Sequence, residues 1–335
     1  MRHLLVYFLL VAALGVVRWT GVLEPHSGNS GDQRLQVRVG YLPVTCHLTC
    51  PVTDFASKTE LPTRFSSQRF TDFPTMVESI KGGRLQATFM IVPLAMKLRE
   101  QNIPVKIVYL GHRDGSTIIV RKDSPASSLS DLKGAVFAIP SKYSNQYLVL
   151  RKLMLDQGMS DRDFNFVEMA PPDMPGALAA DAIDAYFVGE PFAAKAELDG
   201  SGRILHHVKD IWPNFISCAL VVHESLINDH PSAVRDLVAA ICASGEWVEK
   251  HRGTAAKLAA PYFKQDTAVI DYVLSKPPDR VSYRMLTPSN AELQKIHDMA
   301  LESGILAHAI NMAEIVDRSF IPKDIPTLTA LDAAD

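Results

Sequence analysis

Apolar and polar positions alternate over residues 37–42 and the run stops at Pro43, which predicts a strand. Residues 45–54 are rich in Thr, Cys and Pro and predict a loop entering a helix. Residues 71–80 carry helical spacing, and Lys81, Gly82 and Gly83 supply a basic last turn and a glycine stop. Residues 87–92 are almost continuously apolar, as a strand buried on both faces requires. A helix opening on Pro93 follows, then a third strand over residues 105–110. Strand and helix in alternation predict an α/β layer with a parallel sheet.

The rhythm breaks at residues 111–115, which include Gly111 and Gly115. Beyond the break the pattern predicts strands over 116–121, 135–139, 164–169 and 183–188. Helices are predicted over 128–134, from Asn145 to Asp156 and over 174–180. The apolar run 212–223 predicts a strand that returns the chain, and mainly helices follow over 231–250, 254–262, 266–274 and 289–303. This order predicts two α/β lobes with crossings near Gly115 and Val222. Residues 36–114 are then the first part of lobe 1, 115–222 are lobe 2, and 223–325 return to lobe 1 with the C-terminal helices.

The chain has 335 residues, 47% of them hydrophobic, which suffices for one large core or two moderate ones. Its formal charge of -3 shows no basic excess, so nucleic acid is excluded as an expected partner. Arg2 and His3 precede an apolar run over 4–17, short for a bilayer span and suited to a secretory segment. Residues 1–22 are therefore expected to be a signal peptide or an uncleaved N-terminal anchor, and 23–35 a polar tether. A periplasmic or other extracytoplasmic location follows, membrane-anchored if the segment stays. Export makes disulfides among the four cysteines, Cys46, Cys50, Cys218 and Cys242, permissible.

Four segments carry a resemblance. They are residues 39–45 (VGYLPVT), residues 83–95 from Gly83 to Ala95, residues 129–134 (LSDLKG), and residues 171–192, which run from Pro171 through Gly189-Glu190-Pro191 to Phe192. In order and spacing they resemble the periplasmic nitrate/sulfonate/taurine-type binding proteins, and within them the nitrate- and bicarbonate-binding branch. The resemblance implies a two-lobed periplasmic-binding-protein clamshell, type II-like, with a small-molecule ligand in the cleft between lobes. It implies an ABC permease and ATPase in the inner membrane as partners, a monomer, no cofactor and no catalysis. The ligand expected is oxyanion-like or another small nitrogen or sulfur compound.

Ligands of open α/β sheets sit beyond the carboxyl ends of the strands, where helix N-termini offer free N–H groups. Thr45, Pro93, Ser141, Ser144, Asn145 and Gln146 all follow a predicted strand. The serines and Asn145 suit helix caps equally well. Glu190 joins the set because the family's Gly-Glu-Pro element lines the site. The unusual element is Cys46-His47-Leu48-Thr49-Cys50-Pro51. Cys46, His47 and Cys50, with Cys218 from the returning strand, suit a soft or borderline metal such as Cu(I) or Zn. A Cys46–Cys50 disulfide and inert buried thiols are the other readings. Two further functions stay open: a binding-protein-fold enzyme resembling the thiamine-pyrimidine synthases, and a membrane-anchored ligand sensor.

Overall fold

The computed structural model describes residues 33–59 and 61–332; the expected signal segment and nearly all of the tether lie outside them. The alternation at the start is realised as β1 (Gln36–Tyr41), whose inward residues Val37 and Val39 are buried. β2 (Arg64–Arg69) and β3 (Ala87–Ile91) flank β1, both parallel to it. β3 is buried at every position, which explains its unbroken apolar sequence. β10 (Ile216–His223) runs antiparallel to β3 and pairs on its other side with β4 (Val105–Asp114). A short β11 (Val281–Ser282) closes the far edge, giving the order β11-β4-β10-β3-β1-β2.

A second sheet is built from β5 (Ser116–Arg121), β6 (Val136–Ile139), β7 (Asn165–Glu168), β8 (Ala185–Gly189) and β9 (Gly202–His207), in the order β7-β6-β8-β5-β9. β6, β7 and β8 are parallel, whereas β5 is antiparallel to both of its neighbours. Each sheet is thus a parallel core with antiparallel strands added, a mixed sheet in place of the purely parallel one that the pattern predicts. The chain crosses from the first sheet to the second between Asp114 and Ser116. Asp114 (φ 60°) and Gly115 (φ 66°) are both left-handed there, and only glycine holds that geometry without strain.

The return crossing differs from the sequence expectation. Val222 lies inside β10, paired to both β3 and β4, so the chain has already re-entered the first sheet. The crossing falls between His207 and Ile216, through the short helix Val208–Ile211 and the left-handed Asn214. An apolar run reports burial but not which sheet buries it, so residues 212–223 did not disclose the boundary. β2 and β9 also escaped the pattern, since neither alternates cleanly. β2 is held instead by Asp54 of the helix Thr49–Ser57, whose carboxylate takes Arg64 at 2.8 Å and the Ser67 N–H at 3.0 Å.

Helices cover the sheets where caps and breakers permit. Asp72 accepts from the Thr75 N–H and starts Phe73–Lys81, and a Ser289/Glu292 capping box starts Asn290–Glu302. The long helix Pro231–Lys250 packs on Thr49–Ser57, where Thr53 and Ser244 share a hydrogen bond of 2.9 Å between otherwise apolar faces. Among the described residues, no helix is long and apolar enough to cross a membrane.

Glu190, directly after β8, is completely buried, and its carboxylate is fully engaged. It accepts from Arg280 at 2.7 Å, from the Thr117 hydroxyl at 2.9 Å and from the Ala194 N–H at 2.9 Å. Arg280 comes from the C-terminal segment and also reaches Glu197 at 3.2 Å. Removing one partner of a buried pair strands the other charge, at a cost of about 3 kcal/mol. Glu190→Ala is therefore expected to lower the urea midpoint sharply. A joint Glu190→Gln, Arg280→Met replacement should recover most of the loss. Equal midpoints for wild type and Glu190→Ala would show the pair to be dispensable.

Candidate functional site

β10 runs antiparallel to its neighbours, so its first residues meet the carboxyl ends of the parallel strands: Cys218 pairs with Ile91 at the end of β3 and with His112 near the end of β4. The β10–β4 register shifts between Ile216 and Cys218 and again at Ala219, a bulge that leaves Ser217 unpaired. Such irregularities re-aim side chains next to functional sites. After β1, a 3-10 turn at Thr45–His47 leads into the helix Thr49–Ser57. This turn lies against β4 because residue 111 is glycine. A Cβ there would sit 2.1 Å from the Cys46 carbonyl oxygen, well inside contact distance.

Thr45 fastens the turn at three points. Its N–H donates to the Glu190 carbonyl at 2.7 Å, its carbonyl accepts from the Tyr283 hydroxyl at 2.6 Å, and its hydroxyl bonds His112 Nε2 at 2.9 Å. Cys46 and Cys218 then meet, their sulfurs 2.9 Å apart, both buried. The Leu42 N–H donates to His47 Nδ1 at 2.7 Å. That bond makes Nδ1 the acceptor and assigns the ring proton to Nε2. Cys46 Sγ, Cys218 Sγ and a His47 ring nitrogen all lie within 4.8 Å of one another.

Burial pushes the Cys46 thiol up, but the hydrogen bond with Cys218 and the nearby His47 outweigh it and hold the thiol well below the ordinary range. Cys218 moves the other way, raised by burial and then by Cys46. All four cysteines are free.

Among the described residues, the buried polar side-chain atoms without a hydrogen-bond partner are His47 Nε2, Thr49 Oγ1, His112 Nδ1, Asn145 Oδ1, Gln146 Oε1, Ser217 Oγ and, on the helix Pro231–Lys250, Trp247 Nε1. Asn145 and Gln146 open the helix Asn145–Asp156, which follows β6 of the second sheet; the others belong to the first. The Asn145 side-chain amide donates to the Ile216 carbonyl and that of Gln146 to Ser116 Oγ at 3.1 Å, so the second sheet's helix reaches both crossings. A cavity of about 310 Å³ adjoins them, lined by Asn145, Trp212, Phe215, Ile216 and Lys295. The Lys295 ammonium stands 3.8 Å from the Trp212 ring centre.

The structure brings Thr45, Cys46, His47 and Cys218 together and places Asn145 and Gln146 at the same carboxyl-end region. It does not bring Cys50: its thiol faces the Val39 carbonyl at 3.7 Å, so the expected Cys46–His47–Cys50 metal set and the Cys46–Cys50 disulfide are both replaced by Cys46 with Cys218. Cys46 sits in the 3-10 turn and Cys50 in the helix that follows it, so the two do not share one helix face, and Cys50 turns into the core behind β1. Both Glu190 oxygens already accept hydrogen bonds from the protein, Oε1 from Arg280 and Thr117 and Oε2 from the Ala194 N–H. Ser144 is spent capping the helix through the Tyr147 N–H at 3.1 Å, and Ser141 takes the Tyr143 N–H at 3.1 Å. Pro93 lies in the first turn of the helix Val92–Glu100, buried and without a polar contact. Reasoning from sequence passed over Gly111, His112, Ser217, Arg280 and Tyr283. The break at residues 111–115 was the one signal for the first two.

Two outcomes follow. Gly111→Ala forces the Cys46 turn off β4 and should cost on the order of 1–3 kcal/mol, read as a lower melting temperature; an unchanged melt would show that the turn yields freely. His112 is pushed down from 6.5 to about 4, burial being the main cause. Between those values the unfolded chain takes up a proton that the folded chain refuses, so stability falls as pH is lowered through the window. The slope approaches about 1.4 kcal/mol per pH unit. His206, His207 and His223 are displaced in the same direction. His112→Asn should flatten the unfolding free energy against pH between 4 and 6.5, and an unaltered slope would refute the assignment.

Known proteins share this fold. A ligand-binding component of an ABC-type import system from Staphylococcus aureus, solved with zinc bound, is 26% identical and superimposes with a TM-score of 0.77 over 86% of this chain and 98% of its own. The periplasmic nitrate-binding protein NrtA of Synechocystis PCC 6803 shares the fold at 14% identity, with a TM-score of 0.79 over 86% of this chain and 87% of its own. A nitrate import ATP-binding protein, NrtC of Synechocystis, is 24% identical over 67% of this chain, which spans 37% of that relative's length. The model of the NMT1-like family matches residues 30–261, and the chain belongs to that family.

Proposed function

We propose that this protein is the extracytoplasmic solute-binding component of an ABC importer and holds one small ligand between its two sheets. The observation that carries this reading is the set of unpartnered polar atoms at the carboxyl ends of the strands. Leaving a buried donor or acceptor unpaired costs roughly 1–3 kcal/mol, so a ligand that pairs several of them is favoured. In this reading Asn145 and Gln146 from the second sheet's helix, with Ser217, Thr49 and His112 from the first sheet, supply the oxygens, hydroxyls and ring nitrogen that the ligand pairs. The similar proteins named for nitrate, and the Staphylococcus component of an import system, support transport as the purpose of the binding. Residues 36–114 with 216–325 form one lobe in this reading and 115–207 the other. Closure turns about Asp114–Gly115 and the segment 208–215. A permease and an ATPase complete the importer, and the binding protein acts as a monomer.

A desulfurization enzyme also has this fold, at 15% identity and a TM-score of 0.59, so the fold alone does not separate capture from catalysis. One observation favours catalysis, the Cys46 thiol close to the His47 imidazole. Against it, Cys46 is 2% exposed and its sulfur faces another sulfur, with no approach for a carbonyl substrate.

Native mass spectrometry of the full chain purified from its host should show a small molecule retained by wild type. An Asn145→Ala, Gln146→Ala double variant that stays folded should lose it. Scattering curves should contract when that molecule is restored to stripped protein. Retention by the double variant, or identical curves with and without the molecule, would overturn the reading.

A further inference from the structure

We propose that Cys46 and Cys218 form a two-sulfur site for a soft monovalent cation of the Cu(I) type, with His47 as its hydrogen-bond donor and not as a third ligand. The inference goes beyond the solute-binding reading: it adds a sulfur site on the first sheet, separate from the ligand held between the sheets.

Three observations carry it. The two sulfurs approach to 2.9 Å from segments far apart in sequence, the turn after β1 and the bulged start of β10. A His47 ring nitrogen lies within 4.8 Å of both sulfurs, and His47 Nε2 is buried without a partner. Cys50, four residues on, is turned away, so two sulfurs and no more converge.

Coordination number then selects the ion. Zinc takes four ligands in closed protein sites, commonly Cys and His together. Here the described residues offer two sulfurs and one imidazole within reach. The imidazole is unsuited, because a metal on Nε2 needs the ring proton on Nδ1, where it would meet the Leu42 N–H. Metal-bound histidines donate from their second nitrogen; this one accepts there. What remains is a pair of sulfurs with an N–H beside them. Soft thiolates prefer Cu(I), and a closed-shell monovalent ion is content with two of them. Binding releases the thiol protons to solvent and forms two S–Cu bonds without change of oxidation state. The sulfurs must part to admit the ion, which rotation of one cysteine side chain accomplishes. The Nε2–H then bonds a metal-held thiolate and lowers the cost of its burial.

The test is an anaerobic titration of the reduced full chain with Cu(I) held by the chromophoric chelator bicinchoninate. Wild type should withdraw one Cu(I) per chain. Cys46→Ala and Cys218→Ala should each weaken capture at least 100-fold, Cys50→Ala and Cys242→Ala should match wild type, and His47→Gln should weaken capture without abolishing it. Should the alanine variants fail to fold, alkylation of wild type with iodoacetamide decides the matter, with Cu(I) protecting Cys46 and Cys218 selectively in peptide mass maps. Failure of wild type to withdraw Cu(I) would overturn the proposal. So would equal loss in Cys50→Ala, or retention of Zn(II) that vanishes in His47→Ala, which would make the site a three-ligand zinc site. Copper capture is measured on the isolated protein and ligand retention by Asn145 and Gln146 separately, so this proposal and the importer reading fail independently.

Discussion

The buried pair of Glu190 and Arg280 is the contact on which the site's geometry depends. Burying two charges is costly, and the cost is offset only when geometry and surrounding hydrogen bonds are good. Here the carboxylate also takes the Thr117 hydroxyl and the Ala194 N–H, so neither oxygen is left unpaired. The pair pins residue 190, and through its carbonyl the Thr45 N–H. The Tyr283 hydroxyl, three residues beyond Arg280, holds the other side of the Thr45 peptide. Cys46 follows at once. A side chain that the resemblance assigns to the ligand thus serves to place the turn that carries the sulfurs, and its carbonyl does the placing.

How much of this was legible in the sequence varies with the physical cause. β1, β3, β5, β6 and β8 were legible because burial writes itself into composition at two-residue or continuous spacing. β2 was not, because its register is set by Asp54 reaching Arg64 and Ser67, a contact between residues that no periodicity reports. The return crossing was misplaced because Val222 and Ile216 look alike in a hydrophobic run. The cleft end was legible in outline: loops after strands hold Thr45, Asn145 and Gln146, and the structure gathers them. The partner of Cys46 was less so. Spacing favoured Cys50, the nearest thiol, but the change from 3-10 turn to α-helix between them left it facing the Val39 carbonyl, while an antiparallel strand 172 residues away delivered Cys218. Topology decided the pairing, and topology is the least local property of the fold.

The same topology explains why the polar atoms collect where they do. In a sheet of purely parallel strands, the carboxyl ends are followed only by loops and helix starts. The antiparallel β10 adds a strand beginning to that end, and its bulge at Ser217 frees a hydroxyl and turns Cys218 toward the turn after β1. β10 also follows directly on the return crossing, so its first residues lie next to the segment that must move if the sheets part. The Asn145 amide, from the second sheet, bonds the Ile216 carbonyl at this very strand beginning. Any ligand that pairs Asn145 Oδ1 and Ser217 Oγ therefore adds to a contact already bridging the two sheets. Binding energy at such a position is differential by construction, since parting the sheets breaks the ligand's bonds on one side. A site on a single sheet would hold its ligand equally well open or closed and would report nothing to a partner.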